Sequence, residues 1–91
     1  MTGLGPPDSL GIPFEGAVAL VVDAQGMACP LPILKAKKAL STLLPGEVLE
    51  VITTDRNAIK DFQAFCRQTG NSLLSQHQAE GLARHFLKRR D

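Results

Sequence analysis

The chain has 91 residues, of which 44% are hydrophobic and 21% charged, and this composition indicates one folded domain and excludes a wholly disordered chain. Its formal net charge of +1 gives no argument for a general nucleic-acid or membrane surface. The longest apolar run, residues 17–22, is far shorter than the roughly 20 residues that span a bilayer, so we expect a cytoplasmic protein.

The N-terminal residues differ from the rest of the chain. Residues 1–16 contain four glycines and three prolines without apolar periodicity, which predicts a flexible leader before a domain at 17–91. The Val-rich run Ala19–Asp23 then predicts a strand that is buried on both faces. A loop follows at Ala24–Gly26.

A helix and a second strand follow this loop. From Pro30 to Leu44, apolar residues recur mainly three or four positions apart, and this spacing predicts an amphipathic helix. Pro45 and Gly46 end the helix. The segment Glu47–Thr53 is rich in β-branched residues and predicts a strand.

The remaining residues predict a second helix and a closing hairpin. Asp55 is placed to cap the helix and Gly70 to end it, around an apolar stripe formed by Ile59, Phe62, Phe65 and Cys66. Segments 72–78 and 82–88, separated by Ala-Glu-Gly, predict the hairpin. The order β-α-β-α-β-β indicates an α/β fold, a two-layer sandwich with two helices on one face of a four-stranded mixed sheet.

The chemically unusual segment is Cys29-Pro30-Leu31-Pro32, where a loop meets the first helix. Because proline suits the first helical turn, we expect Pro30 at the first helical position, Pro32 at the third and Cys29 at the N-cap. The positive end of the helix dipole would lower the pKa of a thiol there. Proline stands where a Cys-x-x-Cys site has its second thiol, so this thiol suits persulfide transfer rather than an internal dithiol cycle. A small buried structural cysteine is the alternative, and placement alone leaves both open.

Residues 19–88 resemble the TusA (SirA-like) family of small sulfur carriers. The resemblance rests on these segments: Asp23-Ala24-Gln25-Gly26, Cys29-Pro30-Leu31-Pro32, Pro45-Gly46-Glu47, Thr54-Asp55, Phe65-Cys66 and the closing hairpin. It implies a sulfurtransferase-like carrier without a bound cofactor, in which Cys29 accepts sulfane sulfur from a persulfide donor protein such as a cysteine desulfurase. The acceptor would be a sulfurtransferase protein, with no membrane and no direct nucleic-acid contact expected.

Family members serve tRNA 2-thiouridine synthesis, sulfur oxidation or molybdenum-cofactor sulfuration. The tRNA-thiolation branch often has Arg just before the cysteine and Glu between the prolines, where this chain has Ala28 and Leu31. Loss of both charges changes the contacts available to a partner. The sequence therefore does not decide which of these sulfur pathways the protein serves.

Four residues besides the motif are assigned to the site region. Gly26 is expected to supply the backbone shape that places the cysteine. Asp55, besides capping, would lie near the site-bearing edge and contact a partner. Lys35 and Lys38 on the first helix are either solvated side chains or contacts that steer an acidic partner, and Lys37 belongs to the same basic cluster.

The other titratable side chains are given structural roles. Cys66 is expected to be a buried structural thiol because it lies in an apolar helical stripe. His77 and His85 lack the short ligand spacing of a zinc site, so no metal is expected.

Two other functions remain as alternatives: a non-catalytic RNA-binding or regulatory module, and a redox-sensing thiol with Cys66 as the partner thiol.

Overall fold

The computed structural model describes residues 16–91, so the predicted leader lies outside the described residues except for Gly16. In chain order the elements are β1 (Leu20–Ala24), α1 (Leu31–Leu40), β2 (Val48–Thr53), α2 (Ala58–Thr69), β3 (Ser72–Ala79) and β4 (Leu82–Lys88). The predicted order β-α-β-α-β-β is confirmed.

The strands form a four-stranded mixed sheet in the order β1-β2-β4-β3. β1 and β2 are parallel, whereas β4 is antiparallel to both of its neighbours. α1 packs on β1 and β2, α2 packs on β3 and β4, and the helices contact each other. Burial of apolar side chains between the two layers is what drives this arrangement, and the fully buried members are Ala24, Ala36, Leu49, Val51, Phe62 and Leu87.

The prediction that the first strand is buried on both faces is wrong. Within residues 16–91, β1 is an edge strand that pairs with β2 alone, and Leu20 and Val21 are 37% and 53% exposed. Of its five residues only Ala24 is buried. An apolar run indicates a strand but does not indicate its place in the sheet, and an edge position leaves one flank open to solvent.

The first helix is shorter than predicted, because it ends at Leu40 rather than Leu44. Beyond that point the backbone turns more tightly, with the Leu43 N–H donating to the Leu40 carbonyl at 3.1 Å. The Ser41 and Thr42 hydroxyls donate to carbonyls of the last helical turn at 2.6 and 2.7 Å. The end of the second helix is as predicted, since Gly70 has a φ of +85° there.

A buried polar network joins the sheet to α2. His85 of β4 is fully buried and stacks on Phe62 with ring centroids 4.5 Å apart. Its Nε2 lies 2.8 Å from the Thr53 hydroxyl, and its Nδ1 lies 3.0 Å from the Gln76 amide nitrogen. That amide nitrogen also donates to the Ile59 carbonyl at 2.9 Å. Burial lowers the pKa of His85 to about 4, so the ring is neutral at pH 7.

Candidate functional site

Cys29 lies exposed in the loop that connects β1 to α1. The prediction that it caps the helix is wrong. The first helical hydrogen bond runs from the Leu34 N–H to the Pro30 carbonyl at 3.1 Å, which makes Pro30 the N-cap residue. Pro32 consequently occupies the second helical position rather than the third. The peptide bond between Cys29 and Pro30 is cis.

The loop before the cysteine is shaped by Gly26. Its φ of +77° lies in the left-handed region that favours glycine. The Gly26 N–H donates to the Thr54 hydroxyl at 2.8 Å, which ties this loop to the residue that follows β2. The Met27 N–H donates to the Ala24 carbonyl at 3.3 Å and closes the turn.

Asp55 fixes the backbone of Cys29 directly. Its Oδ2 accepts a hydrogen bond from the Cys29 N–H at 3.0 Å, and its Oδ1 accepts one from the Asn57 N–H at 3.2 Å. The prediction that Asp55 caps α2 is wrong, because the first helical hydrogen bond joins the Asp61 N–H to the Asn57 carbonyl. The carboxylate instead serves the loop of the cysteine, 26 residues earlier in the chain.

A shallow depression of about 210 Å³ lies beside Cys29, between the two helices. Asp61, in the first turn of α2, lines the depression with the cysteine. The remaining lining residues are Pro30, Ile33, Ala64, Phe65 and Gln68. One wall of the depression is therefore acidic, whereas most of the rest is apolar.

The electrostatic environment contradicts the expected lowering of the thiol pKa. A hydrogen bond to the Asp61 carboxylate raises the pKa of the Cys29 thiol above its ordinary value of 9.0. Partial desolvation and the negative charges of Asp61 and Asp55 raise it further. The free thiol is therefore protonated at pH 7.

The structure does not bring the predicted lysines to the thiol. Lys35 and Lys38 are exposed, and neither lines the depression beside Cys29. Lys37 lines a different depression, of about 320 Å³, together with Arg89 and Arg90 near the chain end. The basic cluster of α1 thus faces solvent in more than one direction.

Cys66 is buried among core residues, and its thiol is free, so the prediction of a structural thiol is confirmed. Burial raises the pKa of the Cys66 thiol to about 11. Of the two cysteines, only Cys29 is accessible to a partner.

Neither a metal site nor a membrane helix is found among residues 16–91. No group of three or more His, Cys, Asp or Glu side chains in that range is placed to hold a metal ion. None of its helices combines the length and apolar character needed to cross a membrane.

Sequence reasoning missed Asp61 entirely and assigned Asp55 the wrong contact. Both carboxylates are far from Cys29 in the sequence, and acidic residues near a helix start are common, since they favour the helix dipole. The one local signal is that Asp61 directly precedes Phe62 of the apolar stripe, which places it at the margin of the buried face. That signal does not indicate that Cys29 is the residue beside Asp61 in the fold.

Comparison with known proteins gives matches along the described domain. The family model described as Sulfurtransferase TusA matches residues 20–89. The chain is 53% identical over 66 residues to the sulfur carrier protein TusA of Allochromatium vinosum, covering 72% of this chain and 86% of that protein. It is 52% identical over 61 residues to a putative sulfur carrier protein of Neisseria meningitidis serogroup A, covering 67% of this chain and 82% of the relative.

The fold has a match among solved structures. The crystal structure of a SirA-like protein from Desulfitobacterium hafniense superposes with a TM-score of 0.69 and 25% sequence identity. The match covers 79% of this chain and 99% of the other. The two-layer arrangement of helices and mixed sheet is therefore shared with that protein.

Proposed function

Because the chain belongs to the TusA family, whose relatives include proteins named sulfur carriers, we propose that Cys29 carries sulfur as a persulfide between proteins. It accepts sulfane sulfur from a persulfide donor protein such as a cysteine desulfurase and passes it to the thiol of an acceptor sulfurtransferase. The observation that carries the proposal is the exposed thiol of the Cys-Pro-x-Pro segment, whose backbone N–H is held by Asp55.

A carrier must present its sulfur to two partners in turn, and the placement of Cys29 allows this. The thiol lies on a loop outside the helix, with a shallow and open depression beside it. Cys66 is buried, so no second accessible thiol competes for the sulfur within residues 16–91. Without a resolving thiol, the persulfide on Cys29 persists until an acceptor thiolate attacks it.

The surroundings of Cys29 indicate how partners dock. Leu31 and Leu34 are 50% and 53% exposed, so the first turns of α1, the helix that follows the thiol, present apolar side chains to a partner. Lys35 and Lys38, also exposed on α1, steer an acidic region of the partner during encounter. Asp55 contributes by holding the loop, since its oxygens already accept backbone hydrogen bonds.

The relay operates in the cytoplasm, because a reducing compartment keeps the thiols of the carrier and its partners free for exchange. Direct RNA binding is the less supported function. Phe62, Phe65 and Phe86 are buried and present no ring on which a base stacks.

The proposal is tested by intact-protein mass spectrometry after incubation with a cysteine desulfurase and cysteine. The wild-type chain is expected to gain the mass of one sulfur atom, which a reducing thiol removes. Cys29→Ser abolishes this gain and Cys66→Ser retains it, because a serine hydroxyl stays protonated and forms no persulfide. Sulfur gained by Cys29→Ser but not by Cys66→Ser would contradict the assignment.

A further inference from the structure

Asp61 is the carboxylate that lines the depression beside Cys29 within residues 16–91. Its interaction with the thiol is the largest cause that raises the pKa of Cys29. The Asp61 backbone is fixed in the first turn of α2, where its N–H donates to the Asn57 carbonyl at 3.0 Å. The helix therefore fixes the backbone of the residue that brings a carboxylate to the depression of the thiol.

Asp55, the second carboxylate, is engaged differently. Both of its oxygens accept backbone hydrogen bonds, from Cys29 and from Asn57. Asp61, by contrast, forms no ion pair with a Lys or Arg within residues 16–91. Asp55 thus orients the loop, whereas Asp61 lines the depression beside the thiol.

The sulfur transfer requires that this proton leaves. When the Cys29 Sγ attacks the terminal sulfur of a donor persulfide, a new S–S bond forms and the donor's S–S bond breaks. The bonding electron pair leaves with the donor cysteine sulfur as a thiolate. The attacking sulfur is strongly basic at the start and loses its basicity as the S–S bond forms. A carboxylate of intermediate basicity is suited to take the proton during the attack.

We propose that Asp61 is the general base of sulfur loading at Cys29, and the general acid of sulfur delivery. During loading, Asp61 takes the thiol proton and returns it to the departing donor thiolate, so that atoms and charge balance without any net oxidation. During delivery, Asp61 takes the proton of the acceptor thiol, whose sulfur attacks the outer sulfur of the Cys29 persulfide. Asp61 then passes this proton to the Cys29 sulfur as it leaves. This assignment rests on the proposed carrier function.

The test compares two reactions of Cys29 in wild type and Asp61→Asn at pH 7. Alkylation by iodoacetamide reports the thiolate population, and sulfur uptake from glutathione persulfide, followed by intact mass, reports the transfer. Asp61→Asn removes a negative charge, so alkylation is expected to become several-fold faster. Uptake is expected to become about 100-fold slower, the order of a lost general base.

Two variants complete the experiment. Glu80→Gln removes the same charge from the exposed turn between β3 and β4, and it is expected to match wild type in both reactions. Asp61→Glu keeps a carboxylate at the site and is expected to restore part of the uptake rate, which a loss of folding would not explain.

Faster alkylation together with slower sulfur uptake in Asp61→Asn supports the assignment of Asp61 as the general base. If Asp61→Asn accelerates both reactions, Asp61 acts only through its charge and the assignment is overturned, while the carrier function stands. If wild type itself takes up no sulfur from glutathione persulfide or from a cysteine desulfurase, the carrier function and the role of Asp61 are overturned together.

Discussion

Acidification is expected to destabilise the fold through a single buried histidine. The His85 Nδ1 faces the Gln76 amide nitrogen, which also donates to the Ile59 carbonyl. The Gln76 Oε1 accepts from the Gln63 amide at 3.0 Å, so the orientation of this amide is fixed. The Nδ1 is thus an acceptor and the Nε2 carries the hydrogen, directed at Thr53. Protonation of Nδ1 would place two donors against each other in the core.

The magnitude follows from proton linkage. An unfolded histidine has a pKa near 6.5, whereas burial lowers the pKa of His85 to about 4. The unfolded chain therefore binds more protons below pH 6.5, and stability falls as the pH drops from there towards 4. Each unit of difference between the folded and unfolded pKa corresponds to about 1.4 kcal/mol. The full loss of unfolding free energy is therefore about 3 kcal/mol, of which about 2 kcal/mol is reached at pH 5.

The assay is urea unfolding at pH 7 and pH 5, with His85→Gln as the variant that removes the titration. Between the two pH values, the free energy of unfolding is expected to fall by about 2 kcal/mol more in wild type than in this variant. The carboxylates titrate in both proteins, so the difference isolates the histidine. Equal losses in wild type and His85→Gln would refute the reasoning.

Three further predictions concern stability and partner choice. Cys66→Ser is expected to lower the free energy of unfolding by about 1 to 3 kcal/mol while sulfur loading persists, because the hydroxyl is buried in the apolar core; unchanged stability would contradict this. Gly26→Ala is expected to cost about 1 kcal/mol through its positive φ, and Gly26→Asn less, as measured by urea unfolding. The last prediction uses a strain without its own tRNA-thiolation carrier, in which we expect the Ala28→Arg, Leu31→Glu double variant to restore the 2-thiouridine content of tRNA and wild type to restore it poorly. Full restoration by wild type would contradict the proposed effect of these two residues.

The elements of this fold could be predicted because their signals are local. The apolar stripe of α2 and the glycine that ends it lie within a few turns of one another, so periodicity and backbone preference were sufficient. The hairpin is equally local, with β3 and β4 separated by a short turn. The edge position of β1 was not predictable in this way, because it depends on which strands pair across the whole chain.

The sequence motif made Cys29 the candidate site, but the charges around its thiol could not be predicted from the motif. A helix start was visible in the sequence, and it predicted a lowered thiol pKa. The carboxylates that reverse the prediction come from the loop after β2 and from α2, and only folding brings them to Cys29. Charge–charge effects of this kind depend on distance in space, so they have no signature in local spacing.

The end of β2 links the core to the site through three consecutive side chains. Thr53 contacts the buried His85, Thr54 accepts from the Gly26 N–H, and Asp55 accepts from the Cys29 N–H. A strand reverses the direction of successive side chains, so neighbouring residues at its end contact different partners on different sides. The loop of the cysteine is therefore held by the two residues that directly follow Thr53, the residue of β2 that contacts the buried histidine.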